Sequence, residues 1–83
     1  MRTALMSIEE YTKLGKKVKA HVESYQEPPK IRDIARMFGL TIAETYTLAE
    51  DMEMIINVGT QILGLGYYQE PHKGDYTLEV AGD

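Results

Sequence analysis

Apolar residues recur at steps of three and four near the start of the chain: Ile8, Tyr11, Leu14, Val18, Val22 and Tyr25. That spacing draws one stripe down an α-helix, with Lys13, Lys16, Lys17 and Lys19 mostly off it and facing water. Ser7 and Glu10 form an S-x-x-E capping box at the helix entrance. Pro28 and Pro29 in "EPPK" cannot continue a helix, so the first one is predicted over about 8–26. A second follows over about 30–38, with Ile31, Ile34, Ala35 and Phe38 inward and Gly39 as the left-handed residue that ends it. Thr41 and Glu44 make a second capping box, T-I-A-E, opening a third helix predicted over about 42–56. Its expected buried edge is Thr45, Leu48, Met52 and Ile55 or Ile56, and Asn57 and Gly59 read as stop signals.

The period then changes. Leu63, Leu65 and Tyr67 alternate with Gly64, Gly66 and Tyr68, and later Tyr76, Leu78 and Val80 alternate with Thr77 and Glu79. Period two on both sides of "EPHKGD", a stretch with Pro71 and Gly74, predicts a β-hairpin over about 61–80. The two glycines of the first strand point to a bend or a close backbone approach. The fold class expected is mainly α with a C-terminal β-hairpin.

Eighty-three residues form one domain, 1–83, with one small core. Roughly 60–65% of the unfolded surface is buried at that size, so good helix packing or a partner copy is needed. The first-helix stripe is longer than three helices need to bury and is the expected surface of a homodimer. No apolar run approaches a membrane span and "MRTALM" is too short for a signal peptide, so no membrane partner is expected and the location expected is cytoplasmic. The absence of cysteine removes disulfides and the usual zinc ligands.

The helix–glycine–helix stretch 31–53 and the following hairpin resemble the winged helix-turn-helix family. The resemblance rests on Ile34-Ala35, Phe38-Gly39-Leu40, Thr41 and Leu48, where a small alanine lets two helices approach and the glycine takes the turn. Thr45 stands where the family usually carries Val or Ile, so its hydroxyl needs a partner. The resemblance implies a DNA-binding transcriptional regulator whose third helix presents Thr41, Ala43, Tyr46, Thr47 and Glu50 to the major groove of double-stranded DNA. It also implies a wing tip at His72-Lys73-Gly74 that meets the DNA backbone, with Lys30, Arg32 and Arg36 approaching phosphates from the second helix.

Charge complicates that expectation. The net charge is −4. Residues 1–36 carry eight cations against five anions, +3, and residues 37–83 carry one cation against eight anions, −7. Glu44, Glu50, Asp51 and Glu53 fall on or beside the third helix, whereas phosphate neutralisation supplies most non-specific DNA affinity. Position can resolve the conflict: Glu44 is occupied by its capping box, Asp51 and Glu53 lie toward the far end, and Glu50 is left to accept from a cytosine amino group. The alternative is an interaction module, an adaptor or anti-regulator, whose acidic third helix docks on a basic protein partner through exposed Tyr46 and Ile42.

Other chemistry finds little footing. His21 and His72 are far apart with no cysteine beside them, so neither a metal nor another cofactor is expected, and His21 reads as a packing residue. "GTQILGLG" lacks the spacing of a phosphate loop. Glu50 and Glu53 form a solvated acidic face, Ser7 a cap, and Ser24 lies near a helix end, so no enzyme is expected. Met1, Met6, Met37, Met52 and Met54 read as gap fillers, and Tyr67 and Tyr68 as one core and one surface residue of the hairpin.

Overall fold

The computed structural model describes residues 3–58 and 73–81. A short 3-10 turn at Thr3–Leu5 precedes three helices, α1 (Ile8–Glu23), α2 (Ile31–Phe38) and α3 (Ile42–Asp51), and then two strands, β1 (Ile55–Asn57) and β2 (Thr77–Glu79). A second 3-10 turn, Lys73–Asp75, leads into β2. The fold is mainly helical with a C-terminal antiparallel hairpin, Ile55 opposite Glu79, Ile56 opposite Leu78 and Asn57 opposite Thr77. No helix among the described residues is long and apolar enough to cross a membrane.

The middle of the expected α1 stripe builds the core. Leu14, Val18 and Val22 pack with Ile31 and Ile34 of α2, Leu48 and Ala49 of α3, and Leu40, Met54 and Leu78. The two ends of the stripe do not: Ile8 is 87% exposed and Tyr25 39%. Helix α1 also stops sooner than expected, at Glu23, because Ser24 turns its hydroxyl and amide back onto the His21 carbonyl. Gly15 is buried because α3's end lies against it; a Cβ there would run into the Met52 thioether. Of the methionines expected to fill gaps, Met54 is buried but Met37 is 55% exposed.

The α2–α3 turn closes as its residues dictate. Gly39 takes φ 68° and ψ 34°. Its amide donates to the Arg36 carbonyl at 3.4 Å and the Leu40 amide to the Ala35 carbonyl at 2.8 Å. These are the paired bonds of a glycine-capped helix end, with Leu40 folded inward as the accompanying apolar contact. The Thr45 hydroxyl donates to the Thr41 carbonyl at 2.9 Å, which lets a threonine be fully buried at a position suited to Val.

Helix α3 ends at Asp51, five residues before the expected end, through the same device without a glycine. The Glu53 amide donates to the Glu50 carbonyl and the Met54 amide to the Ala49 carbonyl, with Glu53 at φ 57°. Lys19 adds a cation at this terminus, its Nζ 3.2 Å from the Met52 carbonyl. Ile55 and Ile56 are therefore strand residues rather than the last turn of a helix, and Asn57 pairs in the hairpin, its side chain donating to Glu79. The expected first hairpin strand at 63–67, Gly59, Pro71 and His72 lie outside the described residues, whereas the expected alternation about Leu78 is present, with Leu78 fully buried.

The "EPPK" linker does more than interrupt helices. Pro29 and Lys30 run along the free edge of β2: the Leu78 amide donates to the Pro29 carbonyl at 2.9 Å, and the Ile31 amide to the Tyr76 carbonyl at 2.8 Å. Lys30 bridges Thr77. Proline is compatible with this edge because it only has to accept. The Tyr76 carbonyl also replaces the missing side-chain cap of α2, whose N-cap residue is Lys30.

Because Glu53 occupies a left-handed conformation that costs an L-residue about 1 kcal/mol, Glu53→Gly is expected to raise the unfolding free energy by about that amount. Urea denaturation at neutral pH measures it; an unchanged or lowered midpoint would refute this account of the α3 terminus.

Candidate nucleic-acid interface

Helix α3 turns Glu44, Thr45, Leu48 and Ala49 inward. On the opposite side Ala43, Thr47 and Glu50 share one exposed face, and Thr41 is exposed at the entrance. Tyr46, expected among them, is instead half-buried on the flank. Its ring lies 6.1 Å from that of Tyr76, and the Lys73 ammonium sits 4.6 Å from its centroid. Ile42 is likewise half-buried against the core. The exposed surface of α3 is thus small, polar and nearly free of apolar side chains.

The acidic side chains of the segment have separate assignments. Glu44 is 4% exposed. One oxygen accepts from the Thr41 amide at 2.9 Å, completing the capping box, and the other accepts from both the amide and the hydroxyl of Thr3 at 3.0 Å. The Thr41 amide bond first, and then the Thr3 amide bond, hold its carboxyl down at about pKa 2, against the opposing pull of burial. Asp51 faces α1, where the Tyr11 hydroxyl donates to it at 2.6 Å. Burial, reinforced by that hydrogen bond and the nearby charge, pushes the Tyr11 phenol up to about 12. Glu53 lies past the helix end in the closing turn. Only Glu50 remains on the outward face.

Two of the four expected phosphate-facing cations meet at one carboxylate, and a third stands in the turn that carries it. Arg32 Nη1 lies 2.9 Å and Lys30 Nζ 3.9 Å from the same oxygen of Asp75. Lys73 is two residues away in the same 3-10 turn, which packs against both α2 and α3. Arg36 lies one helical turn beyond Arg32, exposed on the same flank, and among the described residues no carboxylate pairs with it. Lys73 is not at a projecting tip; it is folded back over Tyr46, and of the expected tip only Lys73 and buried Gly74 can be placed.

Asp75 is the site residue that the sequence did not flag. It stands 45 and 43 positions from Lys30 and Arg32 in the chain, and only the pairing of Pro29–Lys30 with β2 brings them together. Both partners are about half exposed, so the bridge contributes at most about 1 kcal/mol. A phosphate can displace it at little cost. The Thr3 contact was equally illegible, because nothing in "RTAL" indicates a partner 41 residues away.

Compared with protein-family models, with curated proteins and with solved structures, the chain gives no match in any of the three. The geometry of the chain itself therefore has to carry any functional reading.

The depressed Glu44 carboxyl links folding to pH with a definite sign. A group whose folded pKa lies below its unfolded value contributes stability above the unfolded pKa, here 4.5, and loses it as pH falls toward about 2. Glu44→Gln is expected to be less stable than the parent at pH 7 and to show a flatter decline between those two values. Urea midpoints measured across that range check it; parallel declines for both proteins would show that Glu44 is not the group responsible.

Proposed function

We propose that this chain is a small winged-helix protein that binds double-stranded DNA, most simply as a transcriptional regulator. The observation that carries the reading is the sorting of charge around α3. Glu44 is engaged by Thr41 and Thr3 and Asp51 by Tyr11, while Lys30 and Arg32 meet at Asp75, in the same turn whose Lys73 lies over Tyr46 on the flank of α3. In this reading α3 enters the major groove, where Thr47 and Glu50 reach base edges and Ala43 can meet a thymine methyl. Lys30, Arg32, Arg36 and Lys73 hold the flanking phosphates, and DNA displaces Asp75 from its two cations.

Docking of α3 on a basic protein is supported less well. That reading needs a projecting acidic face with apolar anchors, but Ile42 and Tyr46 are half-buried and only Glu50 is presented outward.

Few phosphates are neutralised per copy, so binding should be weak and its dependence on salt shallow, with a log–log slope of about −2 to −4. Fluorescence anisotropy with a random-sequence duplex at low salt is the test. Arg32→Ala, Arg36→Ala and Lys73→Ala should each weaken binding to all sequences and reduce the slope by about one. Thr47→Ala should blur sequence preference, and Tyr46→Ala should act mainly by loosening the support beneath Lys73. Asp75→Asn should strengthen binding, since it removes the competing anion. No binding by the parent protein, or no response to any of these substitutions, would refute the proposal.

A further inference from the structure

Two large aliphatic side chains stand out from the surface. Leu5 is 88% and Ile8 87% exposed, more than any other large hydrophobic residue described. They do not sit on a frayed end. The Met6 amide donates to the Thr3 carbonyl, Thr3 is tied to Glu44, Met6 packs against the core, and Ser7 and Glu10 cap α1 in both directions. The segment is held in place while its apolar side chains face outward.

The outer face of α1 continues from this patch. Glu9, Thr12, Lys16 and Ala20 follow at steps of three and four and are all exposed, so they share one face. Its charge order is self-complementary in one arrangement only. Placed parallel, two copies oppose Glu9 to Glu9 and Lys16 to Lys16. Placed antiparallel about a two-fold axis near Thr12, each Glu9 meets the other copy's Lys16, because Glu9 lies three residues before Thr12 and Lys16 four after. The same register sets Leu5 opposite the other copy's Ala20, which is small enough to receive it, and Ile8 opposite Lys17, whose aliphatic stem can lie along it. A two-fold interface repeats each such contact twice.

We infer that two copies of this chain associate through the outer faces of antiparallel α1 helices, with Leu5 and Ile8 buried at both ends and Glu9 paired with Lys16 across the axis. The surface differs from the one the sequence suggested. The middle of the stripe belongs to the monomer core, and only its unburied end at Ile8 joins the interface. The inference is independent of DNA binding, since such a dimer can form whatever α3 contacts.

Sedimentation equilibrium between about 10 and 500 μM tests it, and Ile8→Glu should weaken self-association at least about tenfold. Ile8 is nearly fully exposed, so circular dichroism and the unfolding midpoint should stay near the parent's and show that the loss is not unfolding. Glu9→Lys should weaken association and the double variant Glu9→Lys, Lys16→Glu should restore it. The chain has no cysteine, so Thr12→Cys should form an intermolecular disulfide readily under mild oxidation. Glu23→Cys should not, as its symmetry mates would lie more than about 30 Å apart by helix rise. A monomer at all concentrations, a dimer indifferent to Ile8→Glu, or equal crosslinking at the two positions would overturn the proposal.

Discussion

The arrangement turns on a carboxylate that has to stay ionised while almost entirely covered. Glu44 satisfies the amide at the entrance of α3 and also receives both polar groups of Thr3, so three hydrogen bonds converge on one side chain. Charge-assisted bonds of this kind are roughly twice as strong as neutral ones, and the position favours an anion because it lies at the positive end of the helix dipole. The result couples three parts of the chain: the N-terminal turn, the tight turn at Gly39 and the first turn of α3. It also removes one negative charge from the surface where α3 would meet a polyanion.

The same economy runs through the rest of α3. Asp51 is used to fix α1 through Tyr11, Lys19 covers the Met52 carbonyl, and Glu53 closes the helix. An acidic sequence therefore yields an outward face whose one carboxylate is Glu50. The cations come from elsewhere, because the linker Pro29–Lys30 pairs with β2 and so delivers Lys30 and Arg32 to the turn that holds Lys73 and Asp75. Asp75 keeps that cluster compact in the absence of an external anion. A surface bridge of this strength can restrain the side chains without preventing their exchange to phosphate.

What the sequence revealed and what it concealed divide along a physical line. Local signals were sufficient where the cause is local: both capping boxes, the Gly39 turn, the core residues of α1 and α2 and the alternation about Leu78 follow from neighbours within four positions. The end of α3 was misread because the closing residue is Glu53, a non-glycine in a left-handed conformation that Met54 burial and two backbone bonds impose. The exposure of Ile8 was misread because periodicity reports which residues share a face, not how far the partner helices extend. Asp75 and Thr3 could not be found at all, since their partners are more than 40 positions away and only the folded chain brings them together. The family resemblance implies an outward Tyr46, but Tyr76 and Lys73 cover its flank.

The most direct measurement is a titration of duplex DNA into isotopically labelled protein at low salt, followed by amide chemical shifts. The account requires salt-sensitive shifts clustered at Arg32, Arg36, Thr41, Ala43, Thr47 and Lys73, with the outer face of α1 left unmoved by the DNA itself. Shifts absent from that cluster, or concentrated on the α1 lysines instead, would contradict it.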